Sequence, residues 1–328
     1  MDTSDKEAGE GTSRDGANDK VDIKFFPSMG VQRYGFVADI VASHFYETLL
    51  DIGAGESVRL LHWLKQINSL RRYYAVDIDE KGLLASAPTS PKSVDILNRI
   101  RYCELKVDIF CGSIFDVEST NFVVDCIILI EVIEHVDDVE LLTRNIFGKF
   151  QSKMIIITTP NRDFNRFFPG VKLRHPDHRF EWTRKEFKSY TERVSKHFNY
   201  NVEIGGLGTL PDCNSDDYGF CTQYAIFRKN ECINMTDQYA SCSLELPRKW
   251  RKLFSFSLPA ISRYHQFTSA LLAKMSNKDR NEWFPIKELN KRGLLADLGP
   301  ISLLFLLALQ SNFQISSNLL YIKYRNCR

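Results

Sequence analysis

The sequence predicts an α/β protein built on a doubly wound, mostly parallel sheet, and three observations carry that expectation. Strand and helix signals alternate from Glu47 to about Asn230, the pattern of βαβ units. Cys126 to Ile130 is an unbroken apolar run, as expected of a strand buried on both faces. Two strands end abruptly in glycines or acids, in "LLDIGAGE" and "DCIILIEVIEHVDD". Doubly wound sheets bind their ligands at such carboxyl ends.

Residues 1–20 are rich in Asp, Glu, Lys, Gly and Ser, without apolar periodicity, and are expected to be disordered. Arg33 to Tyr46 has amphipathic helical spacing. "ETLLDIGAGE" reads as strand and glycine turn, and "SVRLLHWLKQI" as the helix that follows. "RRYYAVDIDE" is a second strand ending in acids, with a helix starting at "KGLLASA". "RIRYCELKVDIFCGSIFD" holds an edge-type strand or two short pieces. "VVDCIILIE" and "SKMIIITTPN" are strands flanking the helical "VELLTRNIFGKF". "RKEFKSYTERVSKHF" is a helix, and the successive strands "YNVEIGGLG" and "YGFCTQYAIFRK" suit a C-terminal antiparallel edge. Residues 21–230 are therefore read as one domain. Residues 231–328 are read as a basic, poorly defined tail or appendage.

Net charge is +2 over 328 residues, but it is unevenly spread. The chain is −5 through Asn230 and +7 from Glu231 onward, with "RKWRK" (Arg248 to Lys252) the densest cationic patch. Such a patch suits an anionic partner such as RNA, although short charge runs commonly serve as solvated faces. The eight cysteines include no CxxC pair, which argues against a disulfide framework or zinc site and for a reducing compartment. The amino terminus has no apolar signal-peptide core. Residues 298–310, "LGPISLLFLLALQ", are apolar but broken by Gly-Pro and short for a bilayer. A cytoplasmic location, RNA granules included, is the expectation, with no membrane association.

In "LLDIGAGES", Asp51, Gly53 and Gly55 follow an apolar strand directly. Glycines there let the backbone approach a ligand closely. Asp77 ends the next strand, where a carboxylate can accept both hydroxyls of a ribose. The spacing is DxGxG, not GxGxxG, since Val58 occupies the third glycine position. This shorter turn resembles the first motif of the Rossmann-like class I S-adenosylmethionine-dependent methyltransferases. The resemblance implies S-adenosyl-L-methionine as cofactor and places Ser113, in "CGSIFD", beside the adenine.

Glu131, Glu134 and His135 stand at the end of a second strand. A helical turn beginning at Glu131 would put all three on one face. Two carboxylates so placed repel unless a proton or cation lies between them. Oxygen ligands with one or two imidazoles suit magnesium or manganese better than zinc. Acids in a helix's first turn also serve its dipole, and "EVIEHV" occurs in methyltransferases acting on quinone precursors. The loop "LRHPDHRFEWT" offers two further imidazoles, His175 and His178, with Phe180 and Trp182 to anchor it.

The set "FFPSMGVQRY", "LLDIGAGE", "AVDID", "CIILIEVIEHV", "IIITTPNRDFN" and "LRHPDHRFEWTRKEF" resembles the Hen family. These are the small-RNA 3′-terminal 2′-O-methyltransferases of animals, plants and some bacteria. The likeness covers about residues 25 to 230. It implies a magnesium ion held by Glu131, Glu134, His135 and His178. His178 is preferred to His175 because it is the histidine of the DH[RK]FEW element. It further implies a single-stranded small RNA 3′ end as partner, with an Argonaute- or Piwi-type protein a candidate to present it, and a monomeric enzyme.

The implied chemistry is coherent. A metal on the vicinal 2′- and 3′-hydroxyls of a terminal nucleotide would orient both and acidify the attacking one. That requirement selects an unblocked RNA end over DNA. His135 or His178 would serve as proton acceptor only if not ligated through the same nitrogen. Two alternatives remain at this stage: a magnesium-dependent O-methyltransferase for a phenol, catechol or quinone precursor, and an inactive methyltransferase fold that binds RNA. A basic surface disfavours the first, and the intact motif residues disfavour the second.

Overall fold

In the computed structural model the described residues are 23–55, 59–85, 101, 103–118, 122–168, 170–210, 218–230 and 246–258, with three short strands beyond. The expectations for residues 1–20 and for the apolar stretch 298–310 fall outside them.

Helix α1 (Met29–Ser43) leads into strand β1 (Thr48–Ile52). The chain continues through α2 (Leu61–Leu64), β2 (Arg72–Asp77), α3 (Glu80–Ala85), β3 (Leu105–Cys111) and β4 (Val123–Ile130). Then come α4 (Val139–Thr143), which runs on as a π-helical turn to Lys149, and β5 (Gln151–Pro160). Helix α5 (Arg184–Phe198) precedes β6 (Tyr200–Leu207), β7 (Thr222–Lys229) and β8 (Arg251–Leu258). A capping box starts α5: the Thr183 hydroxyl accepts from the Glu186 N–H while Glu186 reaches back to Thr183, so two orphan donors are satisfied reciprocally. Asn199, in the left-handed region, ends it.

The strands form one eight-stranded sheet in the order β6-β7-β5-β4-β1-β2-β3-β8. Neighbours from β3 to β5 pair in parallel, whereas β7, β6 and β8 are antiparallel. Alternate residues of the central strands feed two core layers. Leu49, Cys126, Ile128, Met154 and Ile156 join Val37 and Val41 of α1 on one face. Leu50, Ile127, Leu129, Ile155 and Ile157 meet Phe187 and Val194 of α5 on the other. Burial on both faces is why these strands read as continuous apolar runs. From β1 the chain winds to β2 and β3 on one side and returns as β4 and β5 on the other. The reversal between β1 and β4 is the switch point at which ligands bind.

The domain boundary expected at residue 230 needs correction. Strand β8 lies beyond it and pairs with β3 from Leu105 opposite Leu258 to Cys111 opposite Arg251. Just before it, the buried Trp250 donates its indole N–H to the Ser113 carbonyl at 2.9 Å. A Cβ on Gly112 would lie 2.3 Å from that indole ring, so only glycine admits it. The "RKWRK" patch is largely paired as well: Lys249 with Asp116, Arg251 with Glu80 and Lys252 with Asp108. These cations fasten the strand to the domain before any of them meets a partner. The segments Phe284–Pro285, Phe313–Ile315 and Tyr321–Tyr324 form a separate three-stranded antiparallel sheet.

Replacing Trp250 by Ala should lower stability by about 3 kcal/mol, as for other buried indoles, read as a lower urea midpoint at unchanged slope. An unaltered midpoint would mean that β8 does not dock.

Candidate active site

The glycine turn after β1 is tied to the end of β2. Gly53 and Ala54 donate their N–H groups to the Val76 carbonyl, and Gly55 donates to Asp77 Oδ2 at 2.8 Å. Gly53 has φ +72° and Gly55 φ +65°, values that L side chains rarely adopt. A Cβ on Gly53 would also stand 2.5 Å from Val132 Cγ2, so the turn leans on the segment that follows β4. Asp77 accepts a second backbone N–H, from Asp79, on Oδ1. Each oxygen keeps a further lone pair for a ribose hydroxyl.

Asp51 is buried and accepts from the Tyr73 hydroxyl at 2.5 Å. Burial pushes its carboxyl up to about 7 against the opposing pull of that hydrogen bond. Ser113 sits two residues past Cys111, the β3 residue opposite Asp77. Its Oγ accepts from the Phe115 N–H, capping a short 3₁₀ turn. The turn, Asp77 and Ser113 thus share one end of the sheet, and their free backbone and carboxylate groups fit a nucleoside-bearing cofactor.

The second cluster departs from the expected continuous helical turn. Glu131 adopts φ +55°, a left-handed conformation costly for a non-glycine residue and typical of functional sites. Helical geometry begins only at Ile133, as a 3₁₀ turn through His135. Glu131 therefore stands before the turn that carries Glu134 and His135. Its Oε1 accepts from the Thr158 hydroxyl at 3.1 Å, and its Oε2 pairs with Arg33 of α1 at 3.2 Å.

Glu134, His135 and His178 each offer a ligand atom within 4.8 Å of the others, and Glu131 lies outside that group. Glu134 is fully buried; its Oε2 accepts from the Thr159 hydroxyl at 3.0 Å and its Oε1 has no partner. Burial, reinforced by Glu131, holds this carboxyl well above the usual range. Burial, with His178 adding to it, holds His135 below the ordinary imidazole value. An orphaned carboxylate oxygen facing two imidazoles fits a divalent cation, which would supply the missing charge and accept both nitrogen lone pairs. His175 remains exposed, its ring 5.7 Å from that of His178 and outside the group.

Sequence reasoning missed the supports of this cluster. Thr158 and Thr159 close β5 and hold the two glutamates; their position at a strand's carboxyl end was the available signal. The loop carrying His178 is brought in by the Arg179 N–H, which donates to the Glu134 carbonyl at 2.8 Å. Arg174 anchors it further through the carbonyls of Asn161 and Cys221.

Residues 50–153 match a methyltransferase domain family. The chain is 37% identical to the rat small RNA 2′-O-methyltransferase over 210 residues, 63% of this chain and 53% of the relative. Against the fission yeast protein of the same name identity is 30% over 237 residues, 63% of this chain and 62% of the relative. The structure of the small RNA methyltransferase HEN1 superposes with a TM-score of 0.59 at 27% identity, covering 73% of this chain and 28% of that one. The methyltransferase domain of bacterial CtHen1-C gives 0.50 at 28%, covering 62% of this chain and 99% of that one. The chain spans about half the length of the curated relatives it first matches.

The sheet order and the glycine turn define a Rossmann-like class I methyltransferase, whose methyl donor is S-adenosylmethionine. Within that class the domain is similar in sequence and fold to the small RNA 2′-O-methyltransferases of the Hen family. Among the described residues no helix is long and apolar enough to cross a membrane.

Asp77→Ala should weaken S-adenosylmethionine binding at least tenfold, the worth of one or two charge-assisted hydrogen bonds at about 1.5 kcal/mol or more. Calorimetry giving wild-type affinity would remove Asp77 from the cofactor site.

Proposed function

We propose that this protein transfers the methyl group of S-adenosylmethionine to the 2′-hydroxyl of the 3′-terminal nucleotide of a small single-stranded RNA. The reaction depends on magnesium, with manganese able to replace it. The observation that carries this reading is the buried Glu134 oxygen without a partner, set against His135 and His178 beside the cofactor turn. The names of the relatives, small RNA 2′-O-methyltransferases, supply the substrate class.

Glu134, His135 and His178 would hold the cation. Glu131, although paired with Arg33, is near enough in sequence and charge to join them if that ion pair opens. A bound cation supplies orientation of vicinal hydroxyls and a lower pKa for the attacking one. Asp77 accepts the cofactor's ribose hydroxyls. Gly53 and Gly55 let the cofactor lie against bare backbone, and Ser113 lines the adenine side. His135, neutral near pH 7, keeps a lone pair for ligation. The requirement for two adjacent hydroxyls separates RNA from DNA and an open 3′ end from a blocked one. An Argonaute- or Piwi-type protein would present that end to a monomeric enzyme in the cytoplasm.

A transfer assay with labelled cofactor tests the reading. Label should enter an RNA with a free 3′ end and not one ending in a 3′-phosphate or a 2′-deoxyribose. Transfer to a catechol in place of RNA would favour a small-molecule enzyme and overturn it.

Chelation should silence the wild type, and magnesium or manganese should restore it. Glu134→Ala and His178→Ala should each reduce transfer by about 100-fold or more while leaving cofactor affinity unchanged. The double variant should be no worse than either single, since ligands of one ion act as a unit. Full activity of His178→Ala would transfer the role to His175 or to a smaller ligand set.

A further inference from the structure

Glu181 lies next to the cluster without belonging to it. Its Oε1 is 2.6 Å from His178 Nδ1, and both side chains are nearly or fully buried. The same oxygen accepts the Arg174 backbone N–H at 2.6 Å, and Oε2 accepts from Asn165 Nδ2 at 2.5 Å. The Arg174 N–H and the Asn165 amide N–H can only donate, so both Glu181 oxygens are committed as acceptors. An ionised carboxylate only accepts, so the imidazole facing it carries its proton on Nδ1. Nε2 is then the nitrogen with a free lone pair.

Glu181 is itself fixed. Asn165 Oδ1 accepts from Arg174 Nε at 2.6 Å, and the Arg174 guanidinium spans the carbonyls of Asn161 and Cys221. His178 sits in a loop without regular structure, yet its ring is oriented by groups rooted where β5 ends and β7 begins. Buried ion pairs seldom add stability over apolar packing. Orienting the ring gives this one a purpose that apolar packing would not serve.

We propose that Glu181 is a positioning residue of the site: it holds the His178 proton on Nδ1 and so presents Nε2 to the cation shared with Glu134 and His135. The inference rests on the metal reading above and extends it to a residue outside the ligand set. Partners of ligating histidines of this kind are commonly worth about 10- to 100-fold in metal affinity.

Two measurements on the full chain test it. Nitrogen-15 spectra of the metal-free protein, with His178 assigned by its loss in His178→Asn, should show Nδ1 protonated in the wild type. In Glu181→Ala the two nitrogens should move toward the average of exchanging tautomers. Manganese titration followed by electron paramagnetic resonance should show about 10- to 100-fold weaker binding in Glu181→Gln, with cofactor affinity unchanged. Gln keeps the side-chain volume, which guards against simple misfolding. Arg174→Met, which removes the guanidinium contacts but keeps the backbone N–H on Glu181 and the Glu181–His178 pair, should weaken manganese binding less than Glu181→Gln does.

Wild-type manganese binding in Glu181→Gln would overturn the inference alone. So would an Arg174→Met loss equal to that of Glu181→Gln, which would reduce Glu181 to loop anchoring, or a wild-type His178 protonated on Nε2. A wild-type chain that binds no manganese would overturn the metal reading and this inference together.

Discussion

Parallel pairing of β1 with β4, in register from Leu49 opposite Cys126 to Asp51 opposite Ile128, is the constraint on which the site depends. Adjacent parallel strands end at the same rim of a sheet. Whatever follows β1 must therefore stand beside whatever follows β4. Here the glycine turn and the Glu131–His135 segment meet there, with Val132 filling the space that a side chain at position 53 would need. A methyl donor in one turn and a metal-bound acceptor in the other would be neighbours for no reason beyond strand order. That proximity is the larger part of what a transferase must provide.

The buried carboxylates around this rim differ in how their charge is met, and the difference sorts their roles. Glu181 accepts from three donors. Glu131 has Arg33 and a threonine. Glu134 has one hydroxyl and a bare oxygen. A buried carboxylate left short of partners costs several kcal/mol. The fold tolerates such a group where a ligand completes it, and Glu134 with the two imidazoles beside it is a donor set that a cation would fit. The left-handed backbone at Glu131 is a second local cost, and it turns the chain from the strand into the 3₁₀ turn that aims Glu134 and His135.

The basic patch after residue 230 acquires a different meaning in three dimensions. Trp250 and the ion pairs of Lys249, Arg251 and Lys252 lock an extra antiparallel strand on the β3 edge, against the loop of Ser113. Covering an edge strand removes a row of unpaired backbone groups. It also steadies the loop on which the cofactor's adenine would rest. Ion pairs this exposed contribute little individually, so the buried indole is the main anchor.

The doubly wound sheet was legible in the sequence because strands buried on both faces write themselves as apolar runs, and Cys126–Ile130 and Met154–Ile157 did so. The glycine turn and Asp77 were legible as residue types set at strand ends, and the structure joins them through the hydrogen bond from Gly55 to Asp77. Glu134, His135 and His178 were legible as a pattern, and their convergence needed the loop tether through Arg179. Strand β8 left a trace in the alternation of Phe254, Phe256 and Leu258 with serines, but charge dominated that stretch and hid it. The splitting of Glu131 from Glu134 was not legible at all, because a single left-handed φ decides it and no local residue preference announces that for a glutamate. Nor were the partners of Glu181, since a carboxylate's partners are chosen by long-range packing. Local sequence determined which groups reach the rim of the sheet; only the tertiary structure decided which of them would be left with an unsatisfied charge.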